Sequence, residues 1–421
     1  MFYREAGDFK TSYVDDSQTF PIKFDRYRYY AVLLVGFAII PFIINDYWVN
    51  AIFLPFLIYA IAAIGLNILT GYCGQVSLGT GGFMAVGAYA CYKLMTAFPD
   101  VSIILHVILS GAITAAVGVL FGLPSLRIKG FYLAVATLAA QFFLVWLFNR
   151  VPWFYNYSAS GQISAPERSV LGVSVTGAET VPWAAYLFCL VFTVICALVA
   201  RNLTRGMVGR KWMAIRDMDI AAEIIGVDPL RAKLSAFAVS SFFVGISGAL
   251  FFAVYLGAVE VGEAFGITKS FLVLFMVIIG GLGSIFGSFA GAAFLVILPV
   301  FLKVALADSA AVSDTSLVLS WLFFGVMCIT GALALLRGVL RLAGSQIWAG
   351  MGPFLFGLTI VFFFLSAFCA GGLGWPTDLV AHFQLMIVGA LIVAFLVAEP
   401  HGLAQLWRVS KEKLRLWPFP H

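Results

Sequence analysis

The sequence predicts an all-α, polytopic membrane helix bundle of about twelve spans with both termini cytoplasmic. Three observations predict it. Of the 421 residues 62% are hydrophobic and 11% charged, whereas soluble domains run at roughly 45–50% apolar and about 25% charged. Uncharged apolar runs near the ~20 residues that a membrane-crossing helix needs recur along the chain. The basic residues fall preferentially in alternate connecting segments, as the positive-inside rule requires. Lipid is the solvent this composition calls for.

In chain order the apolar runs are 29–44, 51–69, 76–94, 101–126, 131–148 and 182–200, followed by 234–256, 270–285, 287–302, 316–336, 353–370 and 382–398. The first is short and carries Pro41, with Tyr47 and Trp48 beside it as an interfacial anchor. The stretch from Ser270 to Leu302 is too long for one ordinary helix. Its centre, Gly280-Gly281-Leu282-Gly283-Ser284, invites a tight reversal or a broken helix. Charge favours two crossings here. With twelve spans and a cytoplasmic N-terminus, 20 of the 25 Lys and Arg lie inside; a single crossing at 270–302 lowers that number to 15.

The remaining bulk features exclude more than they assign. A net charge of +5 offers no basic excess for nucleic acid. The six cysteines (Cys73, Cys91, Cys189, Cys196, Cys328, Cys369) lie in or beside apolar segments without a CxxC pair, and read as small core residues. No metal or cofactor site emerges. A charged stretch of 28 residues precedes the first apolar run, unlike a secretory signal.

Two polar stretches interrupt the pattern. The outer one, 149–181, opens with Trp153, Phe154, Tyr155 and Tyr157, an interfacial belt or a docking surface for an external partner. The cytoplasmic one, 201–233, holds 11 of the 45 acidic and basic residues. From Asp219 its apolar positions Ile220, Ile224 and Val227 recur at helical spacing. Gly226 with Pro229 stops that helix. The segment reads as an ordinary solvated loop or as a short knob for a cytoplasmic partner, where Ala221, Ala222 and Gly226 permit close approach.

The glycines at 71, 74, 79, 81 and 82 interrupt an apolar stretch. They allow close helix packing or an unwound backbone beside a cavity. In the second case Asn67, Gln75, Ser77 and Thr80 would line it with neutral hydrogen-bonding groups. Charge inside the spans is nearly absent, and Lys93 and His106 sit near outer span ends, where snorkelling accounts for them. The lack of buried carboxylates argues against an ion-coupled carrier. No G-x-x-x-x-G-K-[ST] motif is present, so ATP chemistry has no place on this chain. A membrane-embedded enzyme would need a clustered His/Asp/Glu constellation, and only Asp378 and His382 come near one.

The residues from Gly209-Arg210-Lys211-Trp212-Met213-Ala214-Ile215-Arg216 to Ala221-Ala222-Glu223-Ile224-Ile225-Gly226 resemble the coupling loop of ABC importer permeases. They are most similar to the LivM-like permease subunits of branched-chain amino acid and urea importers. Gly65-Leu66-Asn67-Ile68-Leu69-Thr70-Gly71-Tyr72-Cys73-Gly74-Gln75-Val76-Ser77-Leu78-Gly79 resembles the same family's L-N-x-x-x-G-x-x-G-Q-x-S-L-G signature, with Thr80 where a His is usual. Arg127–Ala134, Gly280–Ser284 and Glu399–Leu403 follow in the family's order. The likeness covers roughly 50–302 and 382–405.

The resemblance implies a ten-span core with a two-span insertion. Its parts would be a cytoplasmic tail (1–28), a permease core (29–302) with the coupling loop 201–233, an inserted region (303–381), a last span (382–398) and a cytoplasmic tail (399–421). It implies ATPase coupling through Arg216, Asp219, Ala221, Ala222, Glu223 and Gly226. The partners implied are a second homologous permease, two cytoplasmic ABC ATPases and a periplasmic solute-binding protein, in a bacterial inner membrane. A stand-alone secondary transporter is the alternative.

Overall fold

The computed structural model describes residues 11–12, 23–43, 45–125, 132–170, 172–177, 180–308, 386, 389–390, 393 and 402–416. The chain forms two compact units, 1–296 with 399–421, and 297–398. The first contains α1 (Tyr29–Phe42), α2 (Asp46–Tyr72), α3 (Thr80–Ala97), α4 (Ile103–Ser125), α5 (Tyr132–Arg150) and α6 (Pro182–Arg205). Then come α7 (Met207–Asp217), α8 (Asp219–Ile224), α9 (Pro229–Leu256), the single turn α10 (Val261–Ala264) and α11 (Ile267–Gly280). Helix α12 (Ile285–Asp308) starts in this unit, and α13 (Leu403–Leu416) belongs to it.

Six helices among the described residues are long and apolar enough to cross a membrane: α2, α4, α5, α6, α9 and the run through α10 and α11. Two shorter apolar helices, Tyr29–Phe42 and Ile285–Val300, join them. The expected spans 316–336 and 353–370, and all but four residues of 382–398, lie outside the described residues, as do Cys328, Cys369, Asp378 and His382.

The bundle is sorted by burial. Windows of α2 and α9 are 89 and 83% buried, against 39% for α4 and α5. The first two are therefore interior helices. Helix α9 packs most extensively on α4, then on α3 and α2. These contacts are backbone-close. A Cβ added at Gly248 would overlap the Met84 carbonyl of α3, and one at Gly87 would overlap Gly245 of α9. Lipid-like surroundings provide no hydrophobic drive between helices, so small residues at such crossings gain their contact from close packing. The apolar surface that remains, including Leu120, Phe142, Trp146 and Ile195, is exposed along α4, α5 and α6.

The stretch from Ser270 to Leu302 forms a helical hairpin. Helices α11 and α12 are joined by a four-residue turn at 281–284. A Cβ at Gly291 would meet the Met276 carbonyl and one at Gly280 the Gly287 carbonyl, an antiparallel pairing. The glycine expectation at this point holds, because only residues without side chains allow two helices to reverse this tightly.

Two sequence expectations change. The span read as 76–94 begins at Thr80, because residues 73–79 are not helical. Their backbone is held instead by Gln75 N donating to Leu69 O (3.0 Å) and Leu78 N to Thr137 Oγ1 (3.0 Å). The fold is also not purely helical. Strand β1 (Ile163–Ser164) pairs antiparallel with β4 (Ala258–Val259), and β2 (Arg168–Val170) with β3 (Val173–Thr176). These short ladders satisfy backbone groups of the polar connections 151–181 and 257–266.

Gly248→Val is expected to destabilise the protein by about 1–3 kcal/mol, the usual range for overpacking. Gly262→Ala, whose Cβ would meet only the Glu260 carboxylate at 3.8 Å, should leave stability unchanged. Thermal unfolding midpoints of the two variants in detergent check this.

Candidate functional site

The segment 201–233 folds as two short helices braced against the bundle. In α7, Trp212 is fully buried and its Nε1 donates to Ser235 Oγ of α9 at 2.9 Å. Ile215 is buried beside it. Arg216 reaches back to the end of α2, where one guanidinium nitrogen donates to Gly71 O at 2.9 Å while the group pairs with Asp217 at 2.8 Å. Chain direction then changes at Met218, and α8 begins.

Helix α8 lasts six residues. Ala222 is turned inward and buried, so it seats the helix rather than facing outward. Ala221 and Glu223 are exposed. Asp219 lies 3.9 Å from the Lys233 ammonium. Gly226 ends the element at φ +91°, a left-handed conformation that L side chains rarely adopt. Val227 N returns to Ala222 O at 2.9 Å. Asp228 caps α9 by accepting from Leu230 N (3.0 Å) and Arg231 N (3.2 Å).

The sequence reading of α8 missed its outward apolar surface. Met218, Ile220, Ile224 and Ile225 are all exposed, Ile224 at 81%. Four large apolar side chains on so short a projecting element form a surface that water alone does not explain. Their spacing signalled an amphipathic helix, but which side carried the isoleucines depended on Ala222 packing inward.

The polar residues of the glycine-rich stretch separate in role. Asn67 is buried and fully engaged. Its Nδ2 donates to Ser284 O and Ser288 Oγ, both at 2.8 Å, and its Oδ1 accepts from Gly283 N at 2.9 Å. It clamps α2 to the 281–284 turn. Ser77 is buried and accepts from Gly79 N at 3.4 Å. Gln75 Oε1 and Thr80 Oγ1 are buried without a hydrogen-bond partner. Arg216, Gly71, Asn67 and Gly283 thus form one connected chain of contacts from the α7–α8 element to the α11–α12 hairpin.

A second polar hub was not anticipated. Gln141 of α5 accepts from Gly82 N and from Ser270 Oγ (2.9 Å) and donates to Phe265 O at 2.8 Å. Ser270 Oγ in turn accepts from Gly81 N at 2.8 Å. The hub fixes the break between α10 and α11. A lone Gln and a lone Ser in apolar runs carry no sequence signature for this. His106 is also buried, so the snorkelling expected of it does not occur; Lys93 is bonded to Asn156 and lies 4.1 Å from the Trp153 ring. Cys73, Cys91, Cys189 and Cys196 are free and buried, as small core residues.

Long apolar helices around a buried pair, with a short projecting element at one end, define a multi-pass helical membrane protein built around polar hubs. The chain belongs to the family described as the branched-chain amino acid transport system / permease component, whose model matches residues 49–329. That family comprises transport components and not enzymes. Two similar proteins are the high-affinity branched-chain amino acid transport system permease proteins LivM of Salmonella typhimurium (strain LT2) and of Escherichia coli (strain K12). Each is 34% identical over 260 residues, covering 57% of this chain and 60% of the relative's length. No solved structure gives a significant match.

Asn67→Ala is expected to cost about 1–3 kcal/mol, because it leaves the half-buried Gly283 N–H without its acceptor and removes both amide donations to the turn. Faster amide hydrogen exchange confined to 281–288 would identify the clamp; unchanged exchange there would refute it.

Proposed function

We propose that the chain is the transmembrane permease subunit of an ATP-binding-cassette importer. It would move a small polar solute into the cytoplasm: a branched-chain amino acid or a related amino acid, urea, an amide or a small carboxylate. Family membership and the likeness to LivM support the importer reading. The observation that carries the coupling reading is the exposed apolar face of α8 beside the buried anchor Ala222.

Two cytoplasmic ATPases would supply the free energy, a second homologous permease would complete the pathway, and a periplasmic solute-binding protein would deliver the solute at the bacterial inner membrane. Met218, Ile220, Ile224 and Ile225 would sit in a cleft of an ATPase subunit, an insertion that removes their apolar surface from water. Movement of that subunit would shift α8 and α7 together. Arg216 would carry the shift to Gly71 at the end of α2, and Asn67 would pass it to the α11–α12 turn. Asp219 holds the base of α8 through Lys233, Glu223 and Ala221 flank the inserted face, and Gly226 allows the chain to turn back into α9. In this reading the chain crosses twelve times, with 201–233 and both termini cytoplasmic and the region 303–381 as a two-span addition to the core.

The double variant Ile220→Asp/Ile224→Asp places charge on exposed positions and should leave insertion unchanged. Solute-stimulated ATP hydrolysis by the assembled complex is expected to fall at least tenfold. Normal stimulation would sink the coupling role of α8. Uptake driven by an ion gradient in liposomes that hold this chain alone would instead establish a secondary transporter.

A further inference from the structure

The break between α10 and α11 brings Lys269 into the bundle. Its ammonium donates to the Tyr59 hydroxyl at 3.2 Å and lies 5.9 Å from the Tyr59 ring and 5.6 Å from the Phe251 ring. Tyr59 is the central residue of α2, thirteen residues from either end. At 1.5 Å per residue it lies about 20 Å from both ends of that helix, so the ammonium is near mid-depth. The long stem of a lysine can carry its charge to the interface, yet here the stem runs inward to a tyrosine that is 5% exposed.

Among the described residues no carboxylate pairs with Lys269, and the ion pairs Arg216–Asp217, Arg231–Asp228 and Lys233–Asp219 lie at the opposite end of α9. The two aromatic faces compensate only part of the lost hydration. Lys269 also occupies the first turn of α11, where the helix dipole disfavours positive charge. A cation so placed weakens the fold, and intramembrane charges that persist under such conditions mark ion or substrate sites. Lys269 and the neighbouring Tyr255 are half-exposed, so the site is open to a solute. The surrounding Phe251, Tyr255 and Phe265 are in ring contact with one another through Phe251, and offer an apolar wall.

We propose that Lys269 receives the carboxylate of the transported solute midway across the membrane, with Tyr59 holding the ammonium in place and the aromatic wall facing the solute's apolar part. This inference rests on the permease reading and narrows its solute class to carboxylate-bearing molecules. Urea and simple amides would not complete the site.

The test uses the full chain assembled with its ATPase, permease and solute-binding subunits in proteoliposomes, with radiolabelled L-leucine, L-glutamate, benzoate, urea and acetamide as probes. The wild type is expected to take up at least one carboxylate. Lys269→Met should lower that uptake at least tenfold and Lys269→Arg should retain it within threefold, with all chains inserted in equal amounts. Aminoethylation of Lys269→Cys, which restores a cation at this position, should recover uptake, whereas modification of the same thiol by an anionic sulfonate reagent should not. Should Lys269→Met fail to insert, the two modified forms of Lys269→Cys decide the matter by the same criterion. Undiminished carboxylate uptake by Lys269→Met, equal recovery with either reagent, or wild-type uptake of the neutral probes alone would overturn the inference and leave the permease reading intact. Uptake of none of the probes by the wild-type assembly would count against the permease reading itself.

Discussion

The structure depends on how closely α9 can approach its neighbours. Glycines at 87, 245 and 248 bring its backbone against α3 with no side chain between. That contact places α9 and α2 in the interior, and it leaves α4, α5 and α6 to present the apolar outer surface. Every other feature is arranged around this pair of buried helices. Phe251 on α9 and Tyr59 on α2 meet at 5.6 Å between ring centroids because both helices are interior.

Lipid imposes the next constraint. Where a helix stops inside the bundle, its free backbone groups need partners from the protein. The structure meets this need with two neutral amides. Asn67 serves the 281–284 turn, and Gln141 serves the break at Phe265. Each amide joins segments far apart in the chain and gives the irregular backbone hydrogen-bond partners. These hubs also link the two regions of functional interest. Asn67 lies next to the route from α7 and α8, and Gln141 holds the break that directs Lys269 inward.

Much of this was legible from residues alone. The apolar runs between 101 and 256 match observed helices closely, and the glycine cluster at 280–284 announced the hairpin. Gly226 and Pro229 announced the end of α8. The spacing could not say that Ala222 faces inward while Ile220 and Ile224 face out, since that follows from contacts with α7 and α9. In the glycine-rich stretch 73–79 is unwound, and Gly81 and Gly82 are packed closely. Spacing could not reveal that Asn67 forms a clamp, because its partners at 283–288 are more than 200 positions away.

Lys269 shows the division most plainly. Hydropathy ended the apolar run at Ser270 and left the lysine just outside it, where a cation is ordinary. Composition, charge bias and motif order were sufficient to assign the chain to a membrane bundle and to its family, because those properties are local or summed along the chain. Whether a given polar side chain bonds, snorkels or stays unpaired in the interior depends on which distant segments surround it. For Lys269 the answer came from the break at Phe265 and the meeting of α2 with α9, neither of which any neighbouring residue encodes.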